Sequence, residues 1–297
     1  MNIDIVLLEK IKKIVIISLV EDDFLLDNLV LKGGNAINMI YNLSNRSSLD
    51  LDYSISNEFD AEELEFVQNK IQELLTKNFK DNELTLFDYS FEVKPKTISD
   101  SIKDFWGGYR IEFKLLAYDV YEKKKDDIDD LRRNAIPLTS EGSPKYIIDI
   151  SKYEFCEGKI QRNMEGLILF AYTPEMIVIE KLRAICQQMP EYREVVPIPI
   201  KSRARDFFDI SILVEHFKID LNTRENIELI KNIFDAKRVP LSYLLNLAKI
   251  KEIQSLGFES VKQTVSKSED LKDFEYYYTY VNKLIKELPL LDPFRVK

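Results

Sequence analysis

Two short stretches near the N-terminus constrain the fold most. Gly33 and Gly34 stand side by side between an apolar run and a pattern of apolar residues at helical spacing. Residues 49–55 then read Leu-Asp-Leu-Asp-Tyr-Ser-Ile, which alternates with the period of a half-buried strand. In such a strand Asp50 and Asp52 project from one face while the leucine between them enters the core. The sequence therefore predicts a close backbone approach at the glycines and a pair of carboxylates on a strand nearby.

Composition excludes several classes of protein. The net charge of −9 argues against a protein that coats DNA nonspecifically. The sequence has no apolar run of about 18 residues and no signal-peptide layout at its N-terminus, so we expect a cytoplasmic protein with no membrane partner. Cys156 and Cys186 are expected to be buried thiols rather than a disulfide. Because His216 is the single histidine, carboxylates are expected to carry the chemistry.

The pattern of elements changes near residue 172. Before it, a helical stripe at 61–80 is mixed with strand patterns at 84–93, 108–117 and 145–151 and with a charge-dense segment at 119–144, predicted to be an exposed excursion. Thr173 and Pro174 are a typical helix start, and the pattern beyond them is helical. The sequence predicts an α+β fold with a mixed domain at 1–172 and a helical domain at 173–297.

A third carboxylate is expected on a strand next to the aspartate pair. Asp149 lies between two isoleucines in a buried-strand pattern, and Glu112 is the competing candidate. Magnesium prefers oxygen ligands and accepts one or two carboxylates together with substrate phosphates. The third acid could complete the metal ligands or act as base for an incoming hydroxyl. Gly33 and Gly34 would let backbone amides approach a phosphate.

Four motifs in order resemble a known family. They are Leu-Lys-Gly-Gly-Asn-Ala-Ile at 31–37, Arg-Ser-Ser-Leu-Asp-Leu-Asp at 46–52, Glu-Lys-Leu-Arg-Ala at 180–184 and Arg-Asp-Phe-Phe-Asp at 205–209. Together they resemble the AbiEii/AbiGii toxin family, which has a nucleotidyltransferase fold of the polymerase-β type. The resemblance covers about residues 25–215. It implies an N-terminal nucleotidyltransferase-type mixed sheet with flanking helices, followed by a C-terminal helical domain.

The resemblance also implies an activity and its partners. It points to the toxin of a toxin–antitoxin or abortive-infection system that transfers a nucleotide from NTP to an acceptor, such as the tRNA 3′ end or another RNA. Mg²⁺ or Mn²⁺ would be the cofactor, and a cognate antitoxin the protein partner. The expected catalytic residues are Asp50, Asp52, Asp149, Lys181 and Asp206, with metal on Asp50, Asp52 and Asp149. The expected nucleotide-binding residues are Gly33, Gly34, Asn35, Arg46, Lys181 and Arg205.

Other interpretations of the same residues stay open. Lys181 could lie on a solvated helix face, and Asp206 could belong to a salt-bridged helix surface. Family members commonly carry Ser or Thr where this chain has Asn35, although Asn can still donate a hydrogen bond to phosphate. The alternative function is therefore a non-catalytic nucleotide-binding or protein-interaction module on the same fold.

Overall fold

The chain forms two compact units, each made of three separate segments of the sequence. The structure is a computed structural model and describes residues 5–43, 50–138, 143–264 and 271–295. The first unit takes the described residues within 1–36, 47–98 and 107–171. The second takes those within 37–46, 99–106 and 172–297. Two short segments of the second unit therefore lie inside the sequence of the first.

The first unit is built on a mixed sheet. Its described residues form seven strands in the order β3-β4-β5-β2-β1-β7-β6. The strands are β1 (Val30–Lys32), β2 (Leu51–Ser54), β3 (Leu84–Lys94), β4 (Gly108–Ala117), β5 (Tyr146–Ser151), β6 (Ile160–Met164) and β7 (Leu167–Ala171). The pairs β2–β5 and β1–β7 are parallel and the other neighbours are antiparallel. The predicted mixed sheet and α+β class are confirmed.

Helices flank this sheet. They are α1 (Ile5–Val20), α2 (Asp23–Asn28), α3 (Gly33–Asn35), α4 (Ala61–Asp81), α5 (Tyr118–Lys124) and α6 (Ile128–Asn134), and α3 continues as a π-helical segment, Ala36–Ile40. The sequence at 60–63 is a capping box, in which Asp60 caps the first turn of α4 and Glu63 bonds back to the Asp60 amide. The stripe predicted for this helix is buried at Val67, Ile71 and Leu75. Amphipathic spacing therefore located α4 correctly.

Two parts of the first unit differ from the sequence-based prediction. The segment predicted to be an exposed excursion contains α5 and α6, and Leu131 of α6 is buried against Phe87 and Leu116. Val120, Tyr121 and Ala135 pack against the same cluster, so a few apolar residues hold this charged segment on the sheet. The hairpin β6–β7 was not predicted, because the exposed residues of β6 carry no alternating apolar pattern.

Asp88 interrupts the register of β3 and joins α6 to the sheet. It has φ 49° where the pairing with β4 shifts. Nε of Arg132 lies 2.8 Å from Oδ2 of Asp88, and Nζ of Lys114 lies 2.7 Å from the same oxygen. These hydrogen bonds, first that from Arg132, lower the pKa of Asp88 from 3.8 to about 2. The folded state therefore favours the ionised carboxylate.

We expect Asp88→Asn to lower the free energy of unfolding by about 1 kcal/mol at pH 7. Asn tolerates a positive φ, so the change removes charge with little added backbone strain. Because the folded pKa lies below the unfolded one, the ionised side chain stabilises fully above pH 4. That stabilisation is lost as the pH falls toward 2, so the difference between variant and wild type should shrink there. Urea unfolding across this range measures it, with Asp119→Asn, an exposed carboxylate paired to Lys123, as control. A difference independent of pH would contradict the prediction.

The second unit is helical. Its helices are α7 (Pro174–Cys186), α8 (Ala204–Phe217), α9 (Arg224–Asp235), α10 (Lys251–Leu256), α11 (Phe258–Thr264) and α12 (Phe274–Lys286), with 3-10 segments at Pro190–Glu194, Leu241–Ile250 and Pro289–Phe294. Thr173 caps α7 as predicted, its hydroxyl oxygen accepting from the Met176 amide at 3.1 Å. In α12, Tyr277 and Tyr278 are buried and pack edge-on or tilted against Phe208 and Phe207. Tyr277 and Tyr278 therefore belong to a packed helix face, whereas Tyr276 is exposed.

Two findings bear on the expectations from composition. Cys156 and Cys186 are both free and buried. Within the described ranges, no helix has the length and apolar character needed to cross a membrane.

Candidate active site

A row of charged residues crosses one face of the sheet in the first unit. Asp52 of β2 pairs with Asp149 of the parallel strand β5 and with Lys32 of β1. Asp149 in turn pairs with Arg110 of β4. Residues paired in neighbouring strands project from the same face, so the row reads Lys, Asp, Asp, Arg across four strands. The opposite face carries the residues that alternate with them, such as Leu51 and Ile148, which are fully buried.

Gly33 packs directly against the Asp52 carboxylate. Its φ is +71°, a conformation that L residues adopt rarely. A Cβ at this position would lie 2.7 Å from Oδ2 of Asp52. Glycine is therefore required twice, once for the backbone and once for the space beside the carboxylate. Gly33 therefore lies directly beside Asp52, the second aspartate of the pair.

The two candidates for the third acid both have a cationic partner. Nε and Nη2 of Arg110 each donate to one oxygen of Asp149, at 2.8 Å and 2.8 Å. Nζ of Lys145 lies 2.9 Å from Oε2 of Glu112. Asp149 is the one that lies in register with Asp52, whereas Glu112 pairs with Ile147. Of the two, Asp149 is therefore beside the aspartate pair in the sheet.

The charges of Asp149, Arg110 and Glu112 act on the Asp50 carboxyl. Its pKa is raised, first because the carboxyl is partly desolvated, although the residue as a whole is exposed. The charge of Asp149 is the next cause, Arg110 opposes the rise, and Glu112 adds to it. The charges of Asp149 and Glu112 thus both disfavour the ionised form of Asp50. A divalent cation would relieve this repulsion.

Asn35 holds the backbone at Asp50. Its side chain is fully buried, and Nδ2 donates to the Asp50 carbonyl oxygen at 2.6 Å. This bond ties the helical turn after the glycines to the residue that precedes β2. In this structure the amide group of Asn35 is thus used within the protein, and it links the glycine motif to the aspartate motif.

We expect Asn35→Ala to lower the free energy of unfolding by about 1–2 kcal/mol, because the Asp50 carbonyl loses the hydrogen bond that the buried Asn35 side chain donates. Urea denaturation measures the change. The matched control is Asn246→Ala, which removes a similar side-chain bond, Nδ2 to the Ser242 carbonyl at 3.0 Å, from an exposed residue. Equal stability of the Asn35 variant and wild type would contradict this role.

In the second unit, Lys181 is the centre of a buried charge cluster. Its Nζ lies 2.7 Å from Oδ1 of Asp206 and 2.8 Å from Oδ2 of Asp209. All three side chains are at most 10% exposed. Nη1 of Arg203 lies 3.7 Å from Oδ2 of Asp206. The solvated helix face considered for Lys181 does not describe this geometry, because α7 and α8 enclose its ammonium group.

The remaining predicted residues have different surroundings. Arg205 is exposed on α8, and Gly34 is half-buried at the start of α3. Arg46 lies outside the described residues. Sequence reasoning missed Arg110 and the buried pair of Lys32 with Glu154, whose charged atoms are 3.3 Å apart. Strand alternation could have identified Arg110, since it lies two positions before Glu112 and therefore on the same face.

The donors of the first unit fit a divalent metal that is shared with a substrate. Across the described part of the chain, no three His, Cys, Asp or Glu side chains form a ready-made metal group. Magnesium, however, is commonly held by one or two carboxylates plus phosphate oxygens. The missing Cβ of Gly33 lets the backbone of the glycine motif lie directly beside the Asp52 carboxylate. Asp50 and Asp52 are the residues that would hold the metal.

The chain matches a known protein family. A family model described as nucleotidyl transferase AbiEii toxin, type IV TA system, matches residues 17–280. A search of curated proteins gave no significant match.

Solved structures from Helicobacter pylori and Paracoccidioides brasiliensis are among those similar to this chain. A candidate nucleotidyltransferase from H. pylori has a TM-score of 0.49 at 16% identity, with 100% of both chains covered. JHP933 from Helicobacter pylori has a TM-score of 0.47 at 16% identity, covering 96% of this chain and 92% of that one. An antigenic nucleotidyltransferase-like protein from Paracoccidioides brasiliensis has a TM-score of 0.36 at 12% identity, covering 86% and 93%. Since the family model spans most of the sequence, this chain belongs to the AbiEii family of nucleotidyltransferase toxins.

Proposed function

We propose that this chain transfers a nucleotide from an NTP to an RNA acceptor, using Mg²⁺ or Mn²⁺ bound at Asp50 and Asp52. The observation that carries the proposal is the acidic row beside Gly33, in which Asp52 and Asp149 are paired and the Asp50 pKa responds to its neighbours. The fold brings Asp52 and Asp149 together, although they lie almost a hundred residues apart in the sequence.

The acids and the glycine motif have distinct tasks in the proposed reaction. A metal held by Asp50 and Asp52 would neutralise triphosphate charge and lower the pKa of the attacking hydroxyl. Gly33 and Gly34 would let the triphosphate approach the backbone, with Asn35 fixing the turn that carries them. Asp149 completes the acidic set as a further ligand or as the base for the hydroxyl proton.

The second unit would contribute a separate set of groups. Lys181 is proposed as a contact to the triphosphate and Asp206 as a catalytic acid, with Arg205 and Arg46 as further nucleotide contacts. The support is the buried position of the Lys181 ammonium group between two carboxylates, which fixes it in one orientation. A lysine held in this way loses little conformational entropy when it meets an anion.

The partner and the acceptor are proposed from membership of the family. The family description names a toxin of a type IV toxin–antitoxin system. We therefore propose a cognate antitoxin as protein partner and a cytoplasmic site of action. For the acceptor we propose RNA, including the tRNA 3′ end.

Transfer of label distinguishes this activity from its alternatives. The chain would be incubated with Mg²⁺, total RNA and each NTP labelled at either the α or the γ phosphate. We expect label in RNA from the α position only. Label from the γ position alone would indicate phosphoryl transfer, and tight NTP binding without any transfer would indicate a non-catalytic binding module. Either result would overturn the proposal.

A further inference from the structure

Lys32 places a buried positive charge directly beside a proposed metal ligand. It lies in β1 opposite Asp52 of β2. Its Nζ lies 3.3 Å from Oε1 of Glu154, and the side chains of Lys32 and Glu154 are 8% and 3% exposed. A cation at this distance from a metal ligand opposes metal binding, and it does so more strongly where water does not screen it. The charge of Glu154 therefore bears on the metal site.

Backbone bonds at the end of β2 hold Glu154 in place. It follows β5 in the chain, and its amide donates to the Ile55 carbonyl at 3.0 Å, just after the strand that carries the aspartate pair. The Ile55 amide donates in turn to the Ser151 carbonyl at 2.9 Å. Glu154 is thus tied to the strand of Asp52, and its carboxylate is turned inward to Lys32 rather than outward to solvent.

We propose that Glu154 is a positioning residue of the metal site that acts through Lys32: it holds and compensates the Lys32 ammonium and so preserves the affinity of Asp52 for a divalent cation. This inference rests on the proposed function, because it takes Asp52 as a metal ligand. Cβ atoms of residues opposed in antiparallel strands are about 4.5–5.5 Å apart, so a lysine can reach the carboxylate of an aspartate opposite it. With Glu154 in place, Asp52 lies beside an ion pair instead of an uncompensated cation.

Removal of the carboxylate and removal of the whole pair should have different effects. Glu154→Gln keeps the shape of the side chain and leaves the charge of Lys32 uncompensated beside Asp52, so the affinity for Mn²⁺ should fall about tenfold. Glu154→Gln combined with Lys32→Gln removes both charges, and the two amides can still form a hydrogen bond. This double variant should bind Mn²⁺ within about threefold of the wild type. A merely structural role of Glu154 does not predict this rescue.

The experiment is a titration of the metal-free protein with Mn²⁺ alone, with free Mn²⁺ measured by electron paramagnetic resonance. Asp52→Asn supplies the reference for a lost ligand, with affinity expected to fall at least about tenfold. Circular dichroism and thermal melting show whether each variant is folded.

The matched control is Glu58→Gln, which takes the carboxylate partner from Lys152, a second buried lysine of this unit. Nζ of Lys152 lies 5.5 Å from the centre of the Tyr109 ring. Because Tyr109 is next to Arg110 in β4, it projects from the face opposite to the charged row. Glu58→Gln should therefore bind Mn²⁺ within about threefold of the wild type.

The outcomes separate the inference from the function beneath it. Unchanged affinity in Glu154→Gln, an equal loss in Glu58→Gln, or a double variant as weak as Glu154→Gln would overturn the inference, while a loss in Asp52→Asn would keep the proposed metal site. If Glu154→Gln does not fold, Lys32→Gln decides: its affinity should rise about threefold, and an unchanged or lower affinity would overturn the inference. Absence of Mn²⁺ binding by the wild-type chain would contradict the proposed metal site, and the inference would fall with it.

Discussion

Asp52→Asn is expected to reduce nucleotide transfer at least about a thousandfold, the effect of losing several kcal/mol of transition-state stabilisation. Asp52 lies in the centre of the charged row, paired with Asp149 on one side and Lys32 on the other. Asn has nearly the same shape, so the change removes a charged metal ligand and leaves the strand intact. Transfer of α-labelled NTP to RNA at saturating Mg²⁺ measures the loss.

Glu112→Gln is the matched control for this change. Glu112 is a carboxylate on the same face, but Lys145 pairs with it and it lies beside Ile147 rather than Asp52. Its variant should transfer nucleotide within about threefold of the wild type. Comparable transfer by Asp52→Asn and wild type would show that the reaction centre lies elsewhere. A loss at Glu112 equal to that at Asp52 would make Glu112 the third acid instead of Asp149.

Gly33→Ala should lower nucleotide transfer about a hundredfold and the free energy of unfolding by about 1–2 kcal/mol. The new Cβ would meet Oδ2 of Asp52 at 2.7 Å, and the backbone would keep a φ of +71°. The carboxylate must move, and a displaced metal ligand costs far more activity than stability. Activity and urea unfolding are measured on the same preparation.

Gly166→Ala separates the two causes. Gly166 lies in the β6–β7 turn with a φ of +90°, and a Cβ there would meet no atom within 4 Å. The control therefore carries the backbone strain without the collision. It should lose a similar amount of stability and retain transfer. If both glycine variants kept full transfer, contact between Gly33 and the Asp52 carboxylate would have no part in the reaction.

Much of the first unit follows from local pattern. Alternation at 49–55 predicts that Leu51 and Tyr53 enter the core and that the aspartates do not, and both core residues are buried. The same rule gives Asp149 between Ile148 and Ile150. Period-two alternation is a property of the backbone itself, so it survives the tertiary context. The mixed sheet could be anticipated for this reason.

The pairing of strands that are distant in the sequence could not be predicted from local alternation. The ion pair of Arg110 with Asp149 depends on β4 lying beside β5 in one register, and a shift of one residue would put Arg110 on the other face. The two bonds to Lys181 likewise depend on how α8 packs against α7. Resemblance singled out Lys181 and Asp206, but only the structure shows the lysine enclosed by carboxylates.

The way the chain passes between its units has a consequence for synthesis on the ribosome. The segment 99–106 belongs to the second unit, where Ile102 and Phe105 are buried and the Phe105 carbonyl accepts from Lys237 Nζ at 3.1 Å. Lys237 is synthesised more than a hundred residues after Phe105. At about 5–20 residues per second, the side chains of Ile102 and Phe105 therefore stay exposed for several seconds before the core of the second unit can form. A nascent chain stalled or cleaved near residue 172 would keep them uncovered. Because of this order of segments, we expect the nascent chain to need chaperones during translation.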